Sequence, residues 1–246
     1  MSKFDLSMEA NYIRKKLGED TSSPIDVFAC TNRIDNLTVI FNELGENISG
    51  LTHKGKKSSI IAINSAMTLG RQHFSMAHEL YHLFIDETLG TIVCSGINAE
   101  TSDNEKKADS FAASFLMPKD GVYDFIKNHL GCNNRLKAED VVKLEQYFQV
   151  SHSAMLIRLK ELDFINQREL NSFSDNAINQ AVQLNYSQDL YKITGKKETY
   201  GYHIALARDL YEKNRISYGR LKEIMLDAGR TDVLEQICLL EEDVVV

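Results

Sequence analysis

The sequence predicts an α+β fold: a mostly helical core with a small, mainly antiparallel sheet, followed by further helices toward the C-terminal end. Three observations predict it. Short β-branched runs cluster between Leu37 and Ile63, separated by turns containing Gly45, Asn47 and Gly55. From Leu69 onward, apolar residues recur at helical spacing almost to the end of the chain. The composition, 43% hydrophobic and 26% charged over 246 residues, is that of a globular chain long enough to bury a core without disulfide staples.

Taken in order, Met8, Tyr12, Ile13 and Leu17 mark a helix from Ser7 to Leu17, closed by Gly18. Ser23-Pro24-Ile25-Asp26 reads as a helix start, with a serine cap, proline at the first helical position and an acid in the first turn. Strands are expected over Leu37–Phe41, Ile48–Thr52 and Ser59–Ile63, and they offer an edge on which an extended peptide could add. Helices then fit Leu69–Ile85, Asp103–Met117 (stopped by Pro118), Lys119–Leu130, Ala138–Phe148, Ser151–Leu162, Glu198–Lys213 and Ser217–Ala228. The expected organisation is a core over residues 1–131, a small helix-turn-helix-like module over 132–165 and a C-terminal helical region over 166–246. The boundaries fall near Gly131-Cys132-Asn133-Asn134 and between Asn166 and Ser174.

A formal net charge of -7 argues against a surface built to neutralise phosphates, so direct nucleic-acid binding is disfavoured. The four cysteines, Cys30, Cys94, Cys132 and Cys238, are scattered and form no C-x-x-C pair, which reads as reduced intracellular thiols. The charged N-terminus has no apolar centre, and no apolar run approaches the roughly 20 residues needed to span a bilayer. The expectation is a cytoplasmic protein with no membrane partner.

His78-Glu79-Leu80-Tyr81-His82 is an H-E-x-x-H motif inside a predicted helix. Residues four apart share a helix face, so both imidazoles can reach one ion, while Glu79 can sit beside an attacking water without being a ligand. The alternative is two surface histidines on a charged helix. Against it, Met76, Ala77, Leu80, Leu83 and Phe84 flank the motif, and unpaired imidazoles in such surroundings are costly.

A catalytic zinc takes three protein ligands and keeps a fourth position open. Glu105, opening the helix after the intervening loop, can supply the third; Glu87, Glu100 and Asp103 are its rivals, and a helix-start carboxylate meeting the dipole is the plainer reading of Glu105 itself. Asp109, one turn on, could hold the free N–H of a liganding histidine. Cys94 stands twelve residues after His82 in an otherwise polar loop. A spare thiol is the simpler reading of Cys94; the other is a zinc ligand that fills the open position in a resting state. His203 or a tyrosine is a guess for stabilising the oxyanion.

Arg71-Gln72-His73-Phe74-Ser75-Met76-Ala77-His78-Glu79-Leu80-Tyr81-His82, followed by Glu105-Lys106-Lys107-Ala108-Asp109-Ser110-Phe111-Ala112-Ala113-Ser114-Phe115-Leu116-Met117-Pro118, resembles the ImmA/IrrE metallopeptidases. The resemblance takes in Ile48-Ser49-Gly50, Ile61-Ala62-Ile63-Asn64, Phe148-Gln149-Val150-Ser151 and Arg158-Leu159, spanning roughly residues 8 to 165. It implies one Zn2+ per chain on His78, His82 and Glu105, with Glu79 catalytic, and a protein substrate, typically a helix-turn-helix repressor in mobile-element, phage-defence or stress regulation. The Asn-Glu-x-x-Ala-Asp string also resembles the third-ligand helix of thermolysin-type enzymes, which favours Glu105 and Asp109. Tyr81 departs from the small residue that many family members carry there.

Besides a small-molecule zinc hydrolase on the same scaffold, which spacing alone leaves open, two other readings compete with the peptidase. One is a zinc-containing protein that controls a repressor by contact alone. The other is a DNA-binding regulator using the helix after Ser151, with His152, Arg158 and Lys160 as its contacts.

Overall fold

The computed structural model describes residues 5–95, 102–131 and 135–242. Helix α1 (Ser7–Lys16) and the short α2 (Val27–Thr31) precede strands β1 (Leu37–Asn42), β2 (Ile48–Lys54) and β3 (Ser59–Asn64). Helix α3 (Leu69–Phe84), strand β4 (Gly90–Ser95) and helix α4 (Asp103–Leu116) follow, then α5 (Lys119–Phe125), which runs into a π-helical turn over Ile126–Leu130. Helices α6 (Ala138–Phe148), α7 (His152–Glu161), α8 (Gln167–Phe173) and α9 (Ala177–Gln183) lead to β5 (Glu198–Gly201). Helices α10 (Tyr202–Glu212), α11 (Tyr218–Asp227) and α12 (Thr231–Glu242) complete the chain.

The α+β fold stands, and the sheet has the order β4-β2-β3-β1-β5. Three of its pairings are antiparallel; β1 and β3 run parallel. Two strands went unread in the sequence. β4 is a short edge strand within the stretch taken as a polar loop, and β5 occupies the first four positions of the helix expected from Glu198. Edge strands carry weak patterns because one side faces solvent. The edge expected for a peptide is also displaced: β2 and β3 are interior, and the open edges belong to β4 and β5.

The helix expected at Ser23-Pro24 begins later, at Val27. Asp26 is its cap, accepting from the N–H groups of Phe28 and Ala29 at 3.0 Å each, while the Ser23 carbonyl is engaged by Arg14. Asn166 to Ser174, read as a boundary, contains α8, capped by the Asn166 side chain. The boundary segment at 132–134 lies outside the described residues, as do Cys132 and Glu100.

Helix α3 lies against β2 and β3 and is packed from its other side by α4. Its Met76, Ala77 and Leu80 are fully buried with Ile61 and Ile63 of β3 and with Phe111 and Phe115 of α4, in one cluster that also takes in Leu144, Phe148 and Met155 of α6 and α7. Contact between α3 and the α6–α7 turn is close: a Cβ on Gly70 would stand 2.8 Å from the Ser151 nitrogen. A second cluster, centred on Leu221 and Met225, joins α10, α11 and α12.

The C-terminal end of α4 is held by two buried arginines. Helix ends leave carbonyls unpaired and carry partial negative charge. Arg14 donates to the Phe115 carbonyl, and Arg158 Nε donates to the Met117 carbonyl at 3.0 Å. Arg158 also pairs with Glu161, and His152 lies between Glu145 and the Phe173 carbonyl. Two of the three side chains proposed to read DNA are therefore engaged inside the protein. Among the described residues, no helix is long and apolar enough to cross a membrane.

Candidate metal centre

Among the described residues, one group of potential metal donors converges: His78, His82, Cys94 and Glu105, whose ligand atoms all lie within 4.8 Å of one another. Helix α3 supplies both imidazoles from one face, and the first turn of α4 supplies Glu105. That turn is fixed by Ser102, whose hydroxyl caps it by accepting from the Glu105 N–H at 3.2 Å. Of the rivals, Asp103 is salt-bridged to Lys106, and Glu87 follows the end of α3 without joining the group.

Distances within the group suit a small divalent ion. His78 Nε2 and His82 Nε2 are 3.2 Å apart; Glu105 places Oε2 3.2 Å from the first and Oε1 3.3 Å from the second. A tetrahedral ion with bonds of about 2.0–2.1 Å sets its donors roughly 3.3–3.4 Å apart. The outer nitrogens explain which atoms face inward. His78 Nδ1 donates to Asp109 Oδ1 at 2.9 Å, and His82 Nδ1 donates to Asp86 Oδ2 at 3.0 Å. With each Nδ1 carrying its proton, both Nε2 atoms turn lone pairs toward the same point. Two lone pairs at that separation in a buried site repel unless a cation lies between them.

The acidic surroundings of the two imidazoles favour positive charge at this point. Burial alone would depress both imidazoles, but acceptors outweigh it: Asp109, Cys94 and Glu105 hold His78 well above its ordinary range, and Cys94 and Glu105 raise His82 to about 10. Glu105, hydrogen-bonded to His78 and His82, is lowered to about 2.

Glu79 is fully buried one residue along from His78. Thr52 of β2 donates to its Oε2 at 2.7 Å, while Oε1 is buried with no hydrogen-bond partner. Burial pushes its carboxyl upward, an effect partly offset by His78 and Thr52.

Residues 35–160 match the family model Peptidase_M78, described as the IrrE N-terminal-like domain. The chain belongs to this metallopeptidase family. The match covers about half of the chain and contains the whole cluster together with α6 and nearly all of α7. No curated protein matches the chain.

Within this M78 domain, further residues contribute, to which sequence reasoning gave no role. Asp86 orients His82 and is itself held by Asn104 Nδ2 at 2.6 Å and by Thr88; Tyr81 donates to Asn104 Oδ1 at 2.8 Å, completing a chain of hydrogen bonds. Tyr81 thus packs, buried against Phe111, rather than crowding the centre. The four-residue step from His82 to Asp86 was the available signal, since it places the acid on the histidine's own face. Thr52 and Gly50 carry no comparable signal, because their role appears only once β2 lies under α3. His203 follows β5, at the edge of the sheet opposite β4, and its N–H donates to Thr38. Cys94 is buried in β4 rather than in a polar loop.

Proposed function

We propose that this metallopeptidase is a zinc-dependent endopeptidase, with His78, His82 and Glu105 as metal ligands and Glu79 as the catalytic base. The observation that carries the reading is the convergence of two Nε2 lone pairs and a carboxylate at 3.2–3.3 Å beside the unpartnered oxygen of Glu79. Two imidazoles and one carboxylate are a donor set that zinc favours in hydrolytic sites. Asp109 and Asp86 fix the tautomers of the liganding histidines.

Bound there, the ion supplies Lewis acidity, polarising the scissile carbonyl and easing the ionisation of water. The chain's own residues do the rest. Thr52 anchors Glu79 Oε2, so Oε1 is the atom free to accept a proton from the attacking water and pass it to the leaving amine nitrogen. Burial raises the Glu79 carboxyl above its ordinary range, and His78 and Thr52 partly offset the rise.

The substrate we propose is a protein, a helix-turn-helix repressor; family resemblance supports this, and no side chain of the site selects it. Incubation with the protein encoded by the neighbouring gene, with and without chelator, and read by mass spectrometry, tests the reading. Chelator-sensitive cleavage that disappears in Glu79→Gln supports it. Full cellular function of Glu79→Gln would show that proteolysis is not the activity and that regulation is by contact.

A further inference from the structure

We propose that Cys94 is the fourth ligand of the same centre, so that strand β4 closes the site and holds the resting peptidase latent. The inference rests on the metal reading above and deepens it to regulation.

Strand alternation aims the thiol. Val93 is 54% exposed and Cys94 is 1% exposed, so consecutive side chains of β4 point away from the protein and into it. Cys94 is paired with Gly50 of β2, across a bulge in which the register shifts between Ile48 and Gly50. Gly50 is also where β2 meets Glu79, since a Cβ there would stand 2.6 Å from Glu79 Oε1. Pairing therefore delivers the sulfur to the Glu79 side of the centre, and it neighbours both imidazoles and Glu79. The cysteine does not stand alone: its Sγ belongs to the four-donor group, and the buried, unpartnered Oε1 of Glu79 lies against Gly50, the residue paired with Cys94.

Chemistry favours the assignment. Closed zinc sites hold four protein ligands, whereas hydrolytic sites keep one position for water. A thiolate and a carboxylate with two neutral imidazoles balance a divalent ion's charge, and a neutral buried centre costs less than a charged one. On binding, the thiol gives its proton to solvent. On release, water replaces sulfur and the thiolate regains a proton, with no electron transfer. β4 is suited to such release because, among the described strands, it pairs with β2 alone at the edge of the sheet, where local opening costs least.

The test uses the full chain loaded with Co2+ or Zn2+. Expected for the native protein are a thiolate-to-cobalt charge-transfer band and, by zinc-edge X-ray absorption, one sulfur at about 2.3 Å. Cys94→Ser keeps stoichiometric metal but loses both signals, and it yields metal to a chromophoric chelator on the order of tenfold faster or more, since even an outer partner of a ligand is worth that much. Cys94→Ala must behave alike, which guards against a serine oxygen substituting. Stoichiometric metal with only nitrogen and oxygen neighbours in the native protein overturns the inference and leaves the metal reading intact. So does a sulfur signal that survives in Cys94→Ser. A native protein that binds no metal overturns both.

Discussion

The carboxylate of Glu79 rests on Gly50: a Cβ at that position would stand 2.6 Å from Oε1, while Thr52, two residues along the same strand, donates to Oε2 at 2.7 Å. Strand β2 thus places this carboxylate by contact on one oxygen and a hydrogen bond on the other. Gly50→Ala is expected to displace the carboxylate and lower kcat by roughly a hundredfold, the cost of about an ångström of misplacement, with metal content unchanged. Thr52→Val, which removes only the hydroxyl, should cost less. Cleavage kinetics alongside metal analysis check both.

Asp86 and Asp109 serve equivalent nitrogens in unequal settings. The Asp86 side chain is 6% exposed and fixed by Asn104 and Thr88, whereas that of Asp109 is 56% exposed. Loss of such partners typically weakens metal binding about 10–100-fold. Asp86→Ala is expected near the upper end and Asp109→Ala near the lower, as measured by transfer of zinc to a competing chelator. Equal effects would show that burial does not set the strength of these contacts.

The contrast between these carboxylates bears on what could be read in advance. The H-E-x-x-H helix, the helix carrying Glu105 and the main strands were legible because each follows a local period or spacing. Asp86 had a local signal, the i+4 step from His82, which was overlooked. Gly50, Thr52 and the burial of Cys94 are different in kind. They depend on which strand lies under α3 and on which face of β4 turns inward once it pairs with β2, and neither is encoded within a few residues of sequence. The two arginines that cap α4 belong to this second class, since Arg14 and Phe115 meet only through tertiary packing.

Metal should contribute directly to stability. A ligand that binds only the folded state adds about 2.7 kcal/mol when present at a hundred times its Kd. Removing zinc with a chelator is therefore expected to lower Tm by several degrees, and His82→Ala should abolish that dependence. A Tm indifferent to chelator in the native protein would count against a site formed by α3 and α4 together.

A buried ion pair away from the centre makes stability depend on pH. Glu145 is fully buried, accepts from His152 Nδ1 at 2.5 Å and from the Tyr191 hydroxyl, and so ties α6 to α7 and to the segment before β5. Burial would depress His152, but Glu145 outweighs it and the imidazole lies above its ordinary 6.5. Because the folded-state value is the higher one, this contribution is complete below the unfolded value near 6.5 and fades as pH rises through the folded one. Breaking a buried pair from one side costs about 3–5 kcal/mol, and the lower end is expected for His152→Ala because Tyr191 remains on Glu145. Denaturant unfolding across pH checks the sign: the native protein's advantage over His152→Ala should be largest in mild acid and shrink above neutrality. An advantage that grows with pH would mean that His152 is held as the neutral imidazole in the folded protein.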